Sequence, residues 1–242
     1  MSQAPLFADP DPPLVEGVDL RLGDCGEMEI EAGSVGLVHA DPAWLYQNNS
    51  GREGSKTAEM HYDCLRIPDI VAHLDASYDA ACDDCYLLCW ATYPTQREWF
   101  EAEVDAFRSG AFRWEYVSGG SWVKQMVEHD GAIRELEVGI GYHWRGDAEA
   151  LMLYRKGNPK PRRMVRNARV QPKSDRHSEK PADWLGDLVE AFSDPGDVVL
   201  DLYAGHAPLA LPVVRSGRRY IGIEKDPTRH KAALGLLAQG RM

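Results

Sequence analysis

The sequence predicts an α/β protein built around a mostly parallel sheet. Short apolar runs rich in β-branched and aromatic residues alternate with amphipathic stretches of helical length. Several runs are apolar throughout rather than alternating, which favours strands covered by helices on both faces. The chain has 242 residues, enough for one large domain, and its sequence contains no internal repeat.

Seven strands are predicted from apolar runs bounded by turn residues. They are Val18–Leu22, Val35–Ala40, Tyr86–Ala91, Phe112–Val117, Ala150–Tyr154, Val198–Tyr203 and Tyr220–Glu224. Their spacing leaves room for a helix between most successive strands, as expected for a sheet with crossover connections.

The best-marked helix is predicted from about Gln96 to Arg108. Thr95 and Glu98 form a Thr-x-x-Glu capping box at its start, and Gly110 follows its end. A second helix is expected from about Pro181 to Phe192, and others after Pro68, Gly205 and Pro227.

Residues 1–16 are expected to form a flexible tail, and residues 17–242 a single domain with a basic loop at 155–176. The first 13 residues contain several prolines and no Lys or Arg, so they do not have the pattern of a signal peptide. No apolar run approaches the roughly 18 residues of a membrane helix. These features favour a cytoplasmic protein that does not associate with membranes.

Cysteine content and charge bear on two further classes, disulfide-rich or zinc-binding proteins and nucleic-acid-binding proteins. Five cysteines do not suggest a disulfide framework, and Cys82 and Cys85 have no second pair that would complete a zinc site. The net charge is −11, yet residues 155–176 contain nine Lys or Arg and one acid, a local charge of +8. Such a segment can contact phosphates or form a solvated loop, and charge alone does not separate the two.

Asp41 follows an apolar strand and precedes Pro42, Ala43 and Trp44. In α/β proteins, ligands bind at the carboxyl ends of strands. The Asp41 carboxylate and the Pro42 carbonyl can accept hydrogen bonds from one amino group, while the Trp44 ring can stack on a flat heterocycle. Two such acceptors would localise the lone pair of an exocyclic amino group for attack on a methyl donor. A plain strand-to-turn junction explains the same residues, so the tetrapeptide alone is weak evidence.

A second pattern resembles a cofactor-binding turn. A predicted strand carries Asp201 and leads into Ala204 and Gly205, and the next strand ends at Glu224. Glu224 lies about 20 residues after Gly205, the spacing between a glycine turn and a ribose-binding acid. A single glycine disfavours a dinucleotide and suits S-adenosyl-L-methionine, which has no pyrophosphate. A βαβ unit without a cofactor fits equally well.

His177, Ser178 and Lys180 precede the helix that leads into this strand. A cation and a hydroxyl at a helix N-terminus suit a carboxylate, such as the methionine end of the cofactor. Helix capping alone would also explain them.

Taken in order, these motifs resemble the adenine N(6)-methyltransferase family, which includes the catalytic subunit of the messenger-RNA adenosine methyltransferase and its bacterial and phage DNA relatives. That family carries Asp-Pro-Pro-Trp near the N-terminus and the cofactor glycine motif near the C-terminus, the circularly permuted β order. The resemblance spans roughly Val18 to Asp226. Between the two motifs it includes His61-Tyr62, Leu87–Thr92, Trp122-Val123-Lys124, Gly139–Arg145, Glu149 and Arg155–Pro159.

The resemblance implies a Rossmann-like methyltransferase fold with a mostly parallel seven-stranded sheet and helices on both faces. It implies transfer of a methyl group from S-adenosyl-L-methionine to the N(6) amino group of adenine in DNA, without a metal ion. Asp rather than Ser at position 41 favours adenine over cytosine. The implied catalytic residues are Asp41, Pro42 and Trp44; the implied cofactor-binding residues are Asp24, His177, Ser178, Lys180, Asp201, Ala204, Gly205 and Glu224.

The basic loop and residues 118–145 are the expected contacts to the substrate backbone, with the target adenine flipped out of the duplex. The candidate residues are Lys124, Arg145, Lys156, Arg162, Arg163 and Arg166. Trp114, Trp122 and Trp144 could stack on bases, although core packing is the commoner role of such residues.

Two positions depart from the family pattern. Ala43 replaces the second proline, and Gly205-His206-Ala207 replaces Gly-x-Gly. Three alternatives therefore stay open: a catalytically degenerate nucleic-acid-binding relative, an N(4)-cytosine enzyme and an RNA adenine methyltransferase. A homodimer is also compatible with the motif order.

Overall fold

The computed structural model describes residues 15–45, 64–124, 126–127, 133–134, 146–171 and 179–240. Within these ranges the centre of the protein is an eight-stranded sheet. Its strands are β1 Val18–Leu22, β2 Val35–Ala40, β3 Ala81–Ala91, β4 Glu115–Lys124, β7 Ala148–Lys156, β8 Ala168–Gln171, β9 Val198–Asp201 and β10 Arg219–Glu224. A separate two-stranded ribbon consists of β5 Met126–Val127 and β6 Ile133–Arg134.

Neighbouring strands of the sheet follow the order β1-β10-β9-β2-β3-β7-β4-β8. All neighbouring pairs are parallel except the two that involve β7, which runs antiparallel to β3 and β4. The prediction of a mostly parallel sheet is confirmed, and each of the seven predicted strands is present.

Helices cover both faces of this sheet, as predicted. They are α1 Ile67–Ala80, α2 Gln96–Ser109, α3 Ala182–Phe192, α4 Ala210–Arg215 and α5 Pro227–Ala238. One face packs against α1 and α2 through side chains such as Leu74 and Trp99. The opposite face packs against α3, α4 and α5 through Leu188, Val213 and Leu237. Among the described helices, none is long and apolar enough to cross a membrane.

The start of α2 differs from the predicted capping box. The Thr95 side chain makes no cap hydrogen bond to the helix, and its backbone has helical dihedrals. Its hydroxyl instead donates to the carbonyl oxygen of Thr92 at 3.1 Å, inside a one-turn 3₁₀ helix that spans Tyr93–Thr95. The predicted glycine end is confirmed, because Gly110 has φ of +77° at the C-cap.

β4 begins later and ends later than predicted. Phe112 and Trp114 are buried before the strand starts, and the Trp114 indole donates to the Leu74 carbonyl in α1. The strand then continues through Gly119 and Gly120, residues that weaken a strand pattern in sequence. A β-carbon at position 120 would lie 2.6 Å from the Asn167 carbonyl oxygen, so glycine allows the chain before β8 to approach.

Within the eight-stranded sheet, β8 is the strand that the sequence does not predict; the short strands β5 and β6 of the ribbon are not predicted either. β8 has four residues, pairs only with β4, and has exposed and half-buried side chains, so it lacks an apolar run. The sheet therefore has eight strands rather than seven.

The chain changes face between β9 and β2, which are parallel neighbours. The connection from β9 to β10 contains α4 on one face, and that from β2 to β3 contains α1 on the other. Ligands of open α/β sheets bind beyond the carboxyl ends of strands at such a point. The carboxyl ends of β1, β10, β9, β2 and β3 form one edge of the sheet, called here the carboxyl edge.

Candidate active site

Asp41 lies directly after β2 on the carboxyl edge and forms an ion pair with Lys180. The Lys180 ammonium donates to both carboxylate oxygens, at 2.7 and 2.6 Å. Lys180 comes from the segment just before α3, and only 6% of its side chain is exposed, against 27% for Asp41. The residue predicted to bind cofactor therefore contacts the predicted catalytic carboxylate.

Glu149 is a second carboxylate of the same site. It lies in β7, with its carboxylate 3.2 Å from the Lys180 ammonium and also paired with Lys124. The family resemblance includes Glu149 but assigns it no role, because nothing in the sequence shows that β7 lies beside β3. Two ammonium groups thus balance two carboxylates in a largely buried cluster.

Burial and charge act in opposite directions on these groups. Burial raises the pKa of Asp41, and the nearby Glu149 raises it further, while the Lys180 ammonium opposes the rise. Burial also disfavours the charged form of Lys180, but Asp41 and Glu149 outweigh it and raise the pKa of Lys180. Burial opposes ionisation of Glu149 as well, yet its two lysine partners lower the pKa of that carboxyl.

Trp44 is part of the core. Its side chain is 5% exposed, its indole donates to the Trp90 carbonyl oxygen at 3.0 Å, and its ring meets Trp99 edge to face. In this conformation the ring is not available to stack on a base, which corrects the role expected from the tetrapeptide. Trp44 instead anchors the turn that carries Asp41.

The turn is also held at Ala43, the position that departs from the family pattern. The Ala43 carbonyl accepts a hydrogen bond from the Leu65 amide at 2.7 Å, and the Leu45 amide donates to the Leu65 carbonyl at 3.0 Å. Pro42 is buried. Backbone bonds to Leu65 thus restrain the turn where the family has a second proline.

Glu224 and the Gly205 turn lie together at the carboxyl ends of β10 and β9. The Gly205 amide donates to one carboxylate oxygen of Glu224, and the Asp226 amide donates to the other, both at 2.7 Å. Gly205 has φ of +57°, and a β-carbon there would meet no atom within 4 Å. Open space beside a glycine turn and an acid fits a ribose-bearing cofactor that approaches the backbone.

Asp24 completes this part of the carboxyl edge, just after β1. It accepts hydrogen bonds from the Gly26 amide and the Lys225 ammonium, both at 2.9 Å, and lies 3.4 Å from His73. Burial opposes its ionisation, but these partners together lower the pKa of the Asp24 carboxyl. His73, which α1 contributes, is a neighbour that sequence reasoning missed.

Asp201 has an internal position rather than one facing a ligand. Its side chain is 1% exposed, and its carboxylate oxygens accept from His39 Nδ1 at 2.9 Å and Tyr220 at 3.0 Å. The Trp90 indole donates to His39 Nε2 at 3.0 Å, so Nε2 is an acceptor and Nδ1 carries the proton. The predicted cofactor contact by the Asp201 side chain is corrected: this carboxylate ties β2, β9 and β10 together.

Ala204 and Ala207 are also buried. The Ala204 amide donates to the Ile223 carbonyl, which fixes the turn against β10. Ala207 adopts the left-handed conformation with φ of +59°, although it is not glycine. Its methyl group packs in the core, so the glycine that the family has here is not needed to leave room for a ligand.

The predicted substrate-binding lysines have other partners. Lys124 pairs with Glu149 and lies over the Trp122 ring. Lys156 donates to the carbonyl oxygens of Tyr78 and Ala81 and lies at the end of antiparallel β7, opposite the carboxyl edge. The structure does not bring Lys156 to the site, because its ammonium is satisfied at the far edge.

The arginines of the basic loop contact acids of α3 and the turn after it. Arg162 pairs with Asp194, and Arg163 with Asp187 and Glu190. Arg166 is exposed. Residues 155–171, the described part of the loop, are therefore attached to the protein surface through Arg162 and Arg163, whose charges are balanced by these acids.

Three predicted site residues, His177, Ser178 and Arg145, lie outside the described residues, as does Trp144. Trp114 and Trp122 are buried at 0% and 1% exposure, so core packing is their role in this structure.

We expect Lys180→Met to destabilise the protein by about 3 kcal/mol at pH 8, because it leaves buried carboxylates short of a counter-charge. The loss should be smaller at pH 5.5. Asp41 is an acid whose pKa is higher in the folded protein than in the unfolded protein, where the pKa of Asp is about 3.9. Such an acid stabilises the fold at low pH, and this contribution is lost as the pH rises through the folded pKa. Urea unfolding at both pH values measures the difference.

The double variant Lys180→Met/Asp41→Asn is the control. It removes the carboxylate together with its partner, so most of the stability and of the pH dependence should return to wild-type levels. An equal loss for Lys180→Met at the two pH values would contradict the ion-pair account.

The sequence of this chain is similar to those of two named methylases. Two curated relatives from Escherichia coli (strain K12) match: the putative methylase YubD is 43% identical over 61 residues, and the DNA adenine methyltransferase YhdJ is 31% identical over 137 residues. The matches cover 25% and 46% of this chain, and 27% and 46% of the relatives. The chain thus spans less than half the length of these relatives.

Several solved structures share the fold. TTHA0409 from Thermus thermophilus, complexed with S-adenosyl-L-methionine, has a TM-score of 0.66 at 19% identity, over 91% of this chain and 93% of that one. The M1.HpyAVI complex with the same compound has a TM-score of 0.61 at 14% identity, over 91% and 98%. The cytosine-N4-specific PvuII DNA methyltransferase has a TM-score of 0.65 at 13% identity, over 96% and 97%.

The resemblance drawn from the motifs is confirmed at the level of the family. The family model N6_N4_Mtase, described as DNA methylase, matches residues 96–235, more than half of the sequence. The chain belongs to the N6/N4 DNA methylase family.

Proposed function

We propose that this protein transfers a methyl group from S-adenosyl-L-methionine to the N(6) amino group of adenine in DNA. One observation carries the proposal. Asp41 and the Gly205 turn follow the parallel neighbours β2 and β9, whose ends are joined by a hydrogen bond from the Leu202 amide to the His39 carbonyl. A cofactor bound at the turn would therefore lie beside the carboxylate that holds the substrate.

The carboxyl edge offers groups that suit the cofactor. S-Adenosyl-L-methionine supplies an electrophilic methyl group on a sulfonium sulfur. Gly205 leaves open space at the turn. In this proposal Glu224 accepts from the ribose hydroxyls and Asp24 from the adenine amino group of the cofactor. Each carboxylate oxygen has two lone pairs, so the present backbone bonds leave acceptor capacity for a ligand.

The substrate amino group would bind between Asp41 and the Pro42 carbonyl. The Lys180 ammonium bridges both oxygens of Asp41, and in this proposal it releases one of them to make room for the substrate amino group. Glu149, 3.2 Å from the same ammonium, is the alternative partner that keeps Lys180 charged and paired. Asp41 then accepts a hydrogen bond from the amino group, and its raised pKa makes it a better proton acceptor than an exposed aspartate.

Adenine is the proposed base for two reasons. Position 41 is Asp rather than Ser, and the relative YhdJ is named a DNA adenine methyltransferase. The structural likeness to the cytosine-N4-specific PvuII enzyme makes N(4) of cytosine the alternative target. Both amino groups are exocyclic and present the same two hydrogens to Asp41.

The direct experiment incubates the protein with methyl-labelled S-adenosyl-L-methionine and unmodified duplex DNA, single-stranded DNA or RNA, followed by nucleoside analysis. The proposal expects label in N(6)-methyladenine from DNA. Label confined to N(4)-methylcytosine would establish cytosine as the target. Label found only in RNA would show that the substrate is RNA rather than DNA. Cofactor binding without transfer to any of the three would identify a degenerate relative.

We expect Asp41→Ala to lower the rate of methyl transfer by about 10²–10³-fold, because a half-buried hydrogen-bond acceptor for the amino group is lost. The affinity for S-adenosyl-L-methionine, measured by calorimetry, should stay within about twofold, since the groups proposed to hold the cofactor are the Gly205 turn, Glu224 and Asp24 rather than Asp41. Asp19→Ala, which removes an exposed acid from β1, is the matched control and should keep wild-type activity. Retention of full activity by a folded Asp41→Ala variant would refute the catalytic role.

We expect Gly205→Ala to weaken cofactor binding at least about tenfold, because its methyl group would enter the open space beside the turn. Gly33→Ala is the control, since Gly33 also has positive φ, at +69°, and also has no atom near its β-carbon position. Both variants should lose about 1 kcal/mol of stability from the left-handed backbone. Equal cofactor affinity in the two variants would show that the cofactor does not approach Gly205.

A further inference from the structure

We propose that Tyr93 stacks on the base extruded toward Asp41, and so supplies the aromatic platform that buried Trp44 cannot. The inference rests on the proposed function and deepens it by assigning a residue that contacts the substrate base. Tyr93 is 48% exposed and comes two residues after the end of β3, on the carboxyl edge.

The register between β2 and β3 places Tyr93 near Asp41. The strands are parallel neighbours with Ala40 opposite Cys89, which aligns Asp41 with Trp90, three residues before Tyr93. Strand spacing of about 4.8 Å and a rise of about 3.3 Å per residue put the two Cα atoms on the order of 10 Å apart. The ring extends from there toward Ser121 in β4, on the side of β3 away from β2, so a purine with its amino group at Asp41 would have to reach across the end of β3 to stack on it.

The segment that carries Tyr93 is held rigidly. Pro94 follows Tyr93 in a one-turn 3₁₀ helix, and the Thr95 amide and hydroxyl both donate to the Thr92 carbonyl, at 3.2 and 3.1 Å. The phenol oxygen of Tyr93 lies 3.0 Å from the hydroxyl of Ser121 in β4. The ring is therefore tethered at its tip and at its backbone while nearly half of its surface stays exposed.

In the described part of the chain, Tyr93 is the exposed aromatic side chain that lies at the carboxyl edge. The exposed aromatic rings of the described part are Tyr93, Phe107 and Tyr116. Phe107 lies at the end of α2 and Tyr116 at the start of β4, both toward the opposite edge of the sheet. Tyr93 is the exposed ring of this group at the carboxyl edge.

The chemistry of stacking explains why such a ring would be kept exposed here. A base removed from the duplex loses its stacking partners, and an aromatic side chain replaces one of them. A tyrosine held in one orientation does so at little cost in conformational entropy. Such a contact strengthens binding by about five- to 150-fold.

The test compares Tyr93→Ala and Tyr93→Phe with Phe107→Ala, which removes an exposed ring from the opposite edge. The substrate is a duplex in which the adenine methylated by the wild type has been mapped by sequencing, with 2-aminopurine at that position in a parallel fluorescence measurement. Tyr93→Ala should raise the KM for DNA about five- to 150-fold and alter the 2-aminopurine signal. Tyr93→Phe, which keeps the ring, and Phe107→Ala should both stay within about threefold of wild type.

Affinity for S-adenosyl-L-methionine should be unchanged in all three variants. If the wild type methylates DNA and Tyr93→Ala behaves like Phe107→Ala, the stacking role is wrong and the proposed function stands. A fluorescence change only when 2-aminopurine flanks the target would also overturn it, because the ring would then contact a neighbouring base. Absence of transfer by the wild type would instead refute the proposed function itself.

Discussion

The site depends on one buried ammonium shared by two carboxylates. Lys180 pairs with Asp41 at 2.6 Å and with Glu149 at 3.2 Å, and these three side chains come from the segment before α3, the end of β2 and β7. Burying an unpaired charge costs several kcal/mol, so each member constrains the others. Because Lys180 has two carboxylate partners, it stays paired with Glu149 when a substrate takes its place on Asp41. Asp41 can therefore accept a new hydrogen bond without leaving a buried ammonium unpaired.

Buried aromatic side chains contact the cluster of Lys180, Asp41 and Glu149 from the core side. The ring of Trp90 lies 5.2 Å from the Lys180 ammonium, and its indole N–H donates to His39. The backbone carbonyl of Trp90 accepts a hydrogen bond from the Trp44 indole. His39 in turn donates to Asp201, which links β2 to β9 and β10. The strand that precedes Asp41 and the strand that precedes the Gly205 turn are thus joined beneath the carboxyl edge, so core packing sets the spacing between Asp41 and the turn.

The sequence predicted the features that lie along the chain and missed those that join distant segments. Strand bounds for β1 and β2, the glycine end of α2 and the pairing of the Asp41 tetrapeptide with the Gly205 turn follow from local patterns and motif order. The role of Asp201, the burial of Trp44 and the contact between Lys180 and Asp41 depend on neighbours more than 40 residues away. β8 was missed because an exposed edge strand needs no apolar run, and the partners of the basic loop were missed because the acids on α3 are remote in sequence.

The structure of a complex with S-adenosylhomocysteine and a substrate duplex tests the central claim most directly. The account predicts the amino nitrogen of the extruded adenine within about 3.2 Å of an Asp41 carboxylate oxygen. It also predicts that the Lys180 ammonium leaves that oxygen and stays paired with Glu149. A complex in which Lys180 still occupies both oxygens of Asp41, with the base bound elsewhere, would contradict the account.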